Sequence, residues 1–144
     1  AERLSDILGC GDLTPHPNAG LSGSYFLPSR NGEGIVVQWL PSGQVLVIFF
    51  TYDLNGDQQW VTGIGTSDGF SVTIDALYPS SSTSWGSDFD PSEVTLSPWG
   101  TFELTWTECG GVQFSYNSTV PGYGSATRDY VRLSNLWEAS CPDF

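Results

Sequence analysis

The side chains able to do chemistry in this chain are few and scattered. One histidine, His16, sits between prolines in Thr14-Pro15-His16-Pro17. A serine or cysteine nucleophile wants a general base beside it, and a lone histidine in a proline-bound lead-in gives a catalytic triad little support. Asp88 and Asp90 come nearest to a working carboxylate pair, since glycoside hydrolysis needs two carboxyls roughly 5–10 Å apart. Aspartates this close in a Ser/Gly-rich loop are more often turn formers. The chain is therefore read as non-catalytic. Asp53-Leu54-Asn55-Gly56-Asp57 offers oxygen ligands at Asp53, Asn55 and Asp57, with Asp88 and Asp90 as further donors, and Ca²⁺ takes six to eight oxygens. The run lacks the rest of an EF-hand loop and equally fits an Asx-Gly hairpin turn. No cofactor is expected, and calcium is the one candidate ion. Cys10, Cys109 and Cys141 show no CxxC spacing and form no zinc set with a single histidine. An odd count in an exported chain implies one disulfide plus a thiol that is free or bonded to another molecule.

Charge narrows the partners. The 144 residues carry 16 acids against four arginines and no lysine, a net charge of −12. Binding to nucleic acid requires cations that displace counterions from phosphates, so that class is excluded, and an anionic membrane surface is disfavoured on the same ground. No apolar run approaches the roughly 20 residues of a membrane-spanning helix. Charged residues make up only 14% of the chain, and Ser, Thr, Gly and Asn supply the polarity. With cysteines present and Ala1 rather than Met at the start, a secreted, periplasmic or cell-surface location is expected. Small molecules, glycans and further copies of the chain remain as partners.

Strands must position these residues. Phe70, Val72 and Ile74 alternate with polar neighbours, as do Phe102, Leu104 and Trp106, and then Val112, Phe114 and Tyr116. Period-2 alternation marks half-buried strands. Pro41-Ser42-Gly43, Ser67-Asp68-Gly69, Glu108-Cys109-Gly110-Gly111 and Asn55-Gly56 supply the turns. Eight strands are predicted, near 22–28, 33–40, 44–53, 57–66, 69–76, 100–107, 111–118 and 127–134. The expected fold is all-β, an eight-stranded antiparallel up-and-down barrel or closed sandwich, because closure removes exposed sheet edges. Short helices are expected at Glu2–Leu8 and Asn135–Ala139, and one helical turn at Asp90-Pro91-Ser92-Glu93. The division is an N-terminal extension, 1–19, and a barrel domain, 20–144.

In a meander, alternate turns share an end. The turns 41–43, 67–69 and 108–111 make a trimmed base, while 28–33, 53–57, 77–99 and 118–126 make an elaborated, acidic and aromatic end. Long loops and barrel mouths commonly carry ligand sites. Arg30, Glu33, Trp85, Asp88 and Tyr123 are the candidate ligand-binding residues there, with an Arg30–Glu33 ion pair and Trp85 as a lid over the mouth as the structural alternatives. The same geometry brings all three cysteines to the base. Cys109–Cys141 is the favoured pair and Cys10–Cys141 its rival, leaving Cys10 for an intermolecular bond. Arg128 and Arg132 share one face of the last strand and are expected outside, paired with Glu103 or Asp129.

The segments Ile35–Leu40 and Val45–Phe50 are apolar on both faces. A strand with one wet face does not read this way. Val36, Trp39, Val47 and Phe49 are accordingly assigned to an outer face covered by the N-terminal Leu4/Ile7/Leu8 segment, by Leu136/Trp137, or by a neighbouring subunit.

Gly23-Ser24-Tyr25-Phe26-Leu27-Pro28-Ser29-Arg30-Asn31-Gly32-Glu33-Gly34 resembles the G-S-W-Y-x-P-x-R-x-G-E-G opening of a domain found in secreted bacterial proteins, with Tyr25 in place of the usual Trp. Thr51-Tyr52-Asp53 with Gly56, Gln58, Trp60, Gly63 and Gly65, then Phe89-Asp90-Pro91, Pro98-Trp99-Gly100, Pro121-Gly122-Tyr123-Gly124-Ser125 and Arg132-Leu133 followed by Cys141 extend the resemblance over about 20–141. It implies an exported β-domain and no activity. The Gly-x-aromatic start is also similar to avidin-like and lipocalin-like barrels, which is analogy at the level of fold. The functional expectation is a small-molecule or carbohydrate-binding module acting at the long-loop end. The alternative is a self-assembling surface or fibre subunit.

Overall fold

The alternation read from the sequence closes into a ring. The computed structural model describes residues 14–136 and 139–144. Eight antiparallel strands follow one another: β1 (Gly23–Phe26), β2 (Gly34–Trp39), β3 (Gln44–Tyr52), β4 (Gln58–Asp68), β5 (Ser71–Pro79), β6 (Leu96–Glu108), β7 (Gly111–Ser118) and β8 (Ser125–Arg132). Each pairs with the next and β8 returns to β1, giving a closed up-and-down barrel. The seam is short, with Tyr25 opposite Arg132 and Phe26 opposite Val131. It is lengthened below by the Leu133 amide donating to Ser24 O at 2.7 Å and the Ser24 amide donating to Ser134 Oγ at 3.1 Å.

Each strand turns one residue in two toward the interior, as a half-buried pleat must. The interior holds a cluster of aromatic rings among aliphatic side chains. Phe49 stands between Phe114, Phe102, Tyr116 and Trp99, with centroid separations of 5.1, 5.9, 5.9 and 6.4 Å. Lower down, Trp106 meets Trp39 at 5.6 Å and Tyr25 at 6.3 Å. Gly63 faces inward on β4, where a Cβ would stand 2.5 Å from Ile74 Cγ2 and from Asp75 O, so glycine is what lets β5 lie this close.

A plug shuts the base. Residues 19–21 form a single 3₁₀ turn that carries Leu21, fully buried, under the barrel. The guanidinium of Arg132 pins it: Nη2 donates to Gly20 O and to the Tyr25 hydroxyl at 2.8 and 2.7 Å, Nη1 to Ser22 O at 3.3 Å, and Nε to Cys109 O at 2.8 Å. Tyr25 Oη donates to Leu21 O at 2.6 Å and accepts from Trp106 Nε1 at 3.2 Å. Cys109 and Cys141 form a disulfide, which ties the C-terminal strap across the base, and Phe144 at its end packs on Phe70 at 4.3 Å. Cys10 and the proposed Glu2–Leu8 helix lie outside the described residues, as does Trp137.

Three expectations need correction. Trp39, Val47 and Phe49 point into the barrel and are buried, so they cannot form an outer assembly face. The outward apolar residues of the same strands include Val36, Leu46, Ile48 and Phe50. Arg132 and Arg128 also point inward, because they share the face of β8 that buries Tyr130. Finally, Asn135, Leu136 and Ala139 adopt no helix. Among the described residues, no helix is long and apolar enough to cross a membrane.

Candidate functional site

The long-loop end is capped rather than open. Ser118 Oγ and the Thr119 amide donate to Trp99 O at 2.6 and 2.9 Å, folding the β7–β8 loop across the mouth. Tyr123 from that loop lies against Trp99 with centroids 5.5 Å apart, and Gln59 Nε2 donates to its hydroxyl at 3.4 Å. Leu54 from the β3–β4 turn leans on Gly122, whose φ of 100° suits glycine alone. The mouth at this end is thus covered by the β7–β8 loop and by Leu54.

Most of the acids at this end are occupied by structure. Glu33 accepts from Arg30 Nε at 2.9 Å, from Thr51 Oγ1 at 2.8 Å and from Arg128 Nη1 at 3.4 Å, with its side chain only 10% exposed. Burial by itself would push the Glu33 carboxyl up. The hydrogen bonds from Arg30 and Thr51 and the charges of Arg30 and Arg128 outweigh burial and hold it below the ordinary 4.5. Burial first, then the negative charge of Glu33, pushes the nearby Tyr130 hydroxyl up to about 12. A carboxyl with a depressed pKa contributes stability that is present above its unfolded value and lost as pH falls through its folded value. Glu33→Gln should therefore lower stability at neutral pH by an amount that shrinks steadily below about pH 4, checked by urea titrations at stepped pH. A constant difference between the two proteins down to pH 2 would contradict this.

Asp53 Oδ1 accepts from the amides of Asn55 and Asp57 at 2.8 and 2.9 Å, so the proposed calcium ligand is closing its own hairpin turn. Among the described residues, no group of three or more His, Cys, Asp or Glu side chains is placed to hold a metal ion. Asp90 caps the 3₁₀ turn Pro91–Glu93 through the Ser92 amide at 3.0 Å, and those bonds depress its pKa. Glu93 accepts from Thr83 Oγ1 at 2.8 Å. The long loop is thus stitched to itself. Trp85 stands 97% exposed on it and covers nothing, and Asp88 is exposed beside it. The five sequence-derived candidates do not converge: Arg30 and Glu33 form one ion-pair cluster, Tyr123 caps the mouth, and Trp85 and Asp88 lie out on the loop.

The residues that do come together were not among those candidates. On the outer face of β3 and β4, Phe50 lies opposite Trp60 and Tyr52 opposite Gln58. These three aromatic side chains are 48%, 39% and 45% exposed. A cleft of about 460 Å³ runs beside them from Gly32 through Tyr52 to Gln59. A second of about 470 Å³ lies between Asp53, Trp60, Pro79, Ser82 and Val94. The two share Gln58, Gln59 and Trp60. The Gln58 side-chain amide, the Tyr52 hydroxyl and the Trp60 indole N–H, all from residues that line the clefts, make no hydrogen bond among the described residues. The one acid in the lining is Asp53, already held by its turn. Two signals were available: Tyr52, Gln58 and Trp60 belong to the stretch that carries the resemblance, and Phe50, Tyr52 and Trp60 share a parity opposite to the buried Phe49 and Val61. Comparison of the chain with protein-family models, curated proteins and solved structures finds no match.

Proposed function

We propose that the protein is a non-catalytic binding module that takes an uncharged carbohydrate in the cleft beside Phe50, Tyr52 and Trp60, working outside the cytoplasm. The observation that carries this reading is the exposed Phe50–Trp60 cross-strand pair flanked by unspent amide, hydroxyl and indole donors. Aromatic faces stack on the C–H surface of a sugar while the polar atoms at their edges bind its hydroxyls. A net charge of −12 argues against anionic glycans, and the near-neutral lining suits neutral ones. The Cys109–Cys141 disulfide supports an oxidising compartment.

The test is calorimetric titration of neutral oligosaccharides into the full chain. Trp60→Ala should weaken binding by about 30-fold, equivalent to roughly 2 kcal/mol, while leaving the melting temperature nearly unchanged. Binding that survives this substitution would refute the site.

A second reading, association of copies, is favoured by the face below the cleft. Val36 lies opposite Ile48 and Leu46 opposite Ile64, and Val36 and Ile64 are exposed among the described residues. Ile64→Asp should then dissolve any oligomer seen by sedimentation velocity and leave sugar binding intact.

A further inference from the structure

The two clefts meet at Trp60, and their order across the sheet gives the ligand a direction. The first reaches from Gly32, just before β2, to Tyr52 on β3, and the second from Trp60 on β4 to Pro79 at the end of β5 and the loop beyond. The strands are ordered β2-β3-β4-β5. The lining therefore crosses three strand intervals, about 14 Å at the usual spacing, which is longer than one sugar ring. Trp60 stands in the middle of that run.

The far wall is fixed in advance. Ser80 N donates to Thr95 O and Thr95 N to Ser81 Oγ, both at 2.8 Å, while Asp90 N donates to Thr83 Oγ1 at 3.0 Å. A wall that is already ordered costs little to bind against. An extended peptide is a poor occupant, because peptides in this mode add to an open sheet edge and the closed barrel offers none.

From this geometry we infer that the site binds the interior of an extended, uncharged glycan chain lying across β3 and β4, not a single terminal sugar. The inference rests on the carbohydrate reading above. A single ring would occupy one side of Trp60 and leave the other cleft empty.

The experiment is titration of the full chain with gluco-, xylo-, manno- and N-acetylglucosamine oligosaccharides, β-1,4-linked, from one to six units. In the series that binds, affinity should climb by about tenfold or more from monosaccharide to tetrasaccharide and then level off. Tyr52→Ala on one side of Trp60 and Val94→Asp on the other should each weaken hexasaccharide binding several-fold. Each should also bring the plateau to a shorter chain, with thermal melts confirming that both variants fold. A monosaccharide that binds as tightly as the hexasaccharide, with both lost in Trp60→Ala, would overturn the chain inference and leave the carbohydrate reading standing. Failure of all four series to bind, or binding indifferent to Trp60→Ala, would overturn the carbohydrate reading itself.

Discussion

Replacing Arg132 by alanine should lower the unfolding free energy by at least about 3 kcal/mol, more than any single surface change in the molecule. The guanidinium serves three backbone carbonyls and one hydroxyl at once, and these belong to three separate pieces of chain: the plug at Gly20 and Ser22, the start of β1 at Tyr25, and the β6–β7 turn at Cys109. Its charge also lies over the Tyr25 ring, 5.1 Å from the centroid. Truncation takes the Arg132 donors from three carbonyls and leaves the Tyr25 hydroxyl only the Trp106 indole, and an unsatisfied buried acceptor costs more than the lost bond was worth. Arg132→Lys should recover only a small part of the loss, since one ammonium cannot fan out to four acceptors as the planar fork does. Urea unfolding followed by tryptophan fluorescence measures both variants. A loss under about 1 kcal/mol for the alanine variant would mean that the plug holds without its pin.

Removing the disulfide should cost about 3–4 kcal/mol. Cys109 and Cys141 are separated by 32 residues, and closing a loop of that length removes roughly this much entropy from the unfolded chain. The bond also holds the strap that carries Phe144 onto Phe70. The double variant Cys109→Ser/Cys141→Ser should unfold at lower urea than the parent. A strong reductant should bring the parent to the same midpoint and leave the variant unmoved. If the reductant shifts the double variant too, a bond involving Cys10 contributes as well.

How much of this was legible in the sequence depends on the phase of each strand. The strands from β5 to β7 have one polar and one apolar face, so alternation states both that a strand exists and which residues enter the core. In β2 and β3 both faces are apolar. The period is visible there but the phase is not, and a one-residue error sends every side chain to the wrong side. In β2 and β3 that phase turns Trp39, Val47 and Phe49 inward. The two arginines of β8 were misplaced for a different reason. Charge argues for solvent, yet Arg132 has carbonyls to serve and Arg128 has Glu33 and the Tyr116 hydroxyl. Tyr130 between them was the cue, since alternate residues share a face. The split into a short-turn end and a long-loop end followed from strand count, which also brought the cysteines to one end but left Cys10–Cys141 as a rival to the Cys109–Cys141 bond observed. The cleft did not, because it depends on which neighbouring strands lie in register, and Phe50, Tyr52, Gln58 and Trp60 meet only once β3 and β4 are aligned.

The short seam has a consequence for how the molecule is made. Every other neighbour in the ring is joined by a local hairpin, whereas Tyr25 and Arg132 are 107 positions apart. Hairpins recover their closure entropy early, while a contact of this span becomes favourable only when the chain between is already ordered. Contact separation therefore predicts an open ribbon of hairpins from β1 to β8 that shuts last, when β8 reaches β1 and the Arg132 fork meets the plug. Until that moment both ribbon edges are bare, and the same backbone groups that complete one barrel can instead complete a neighbour's.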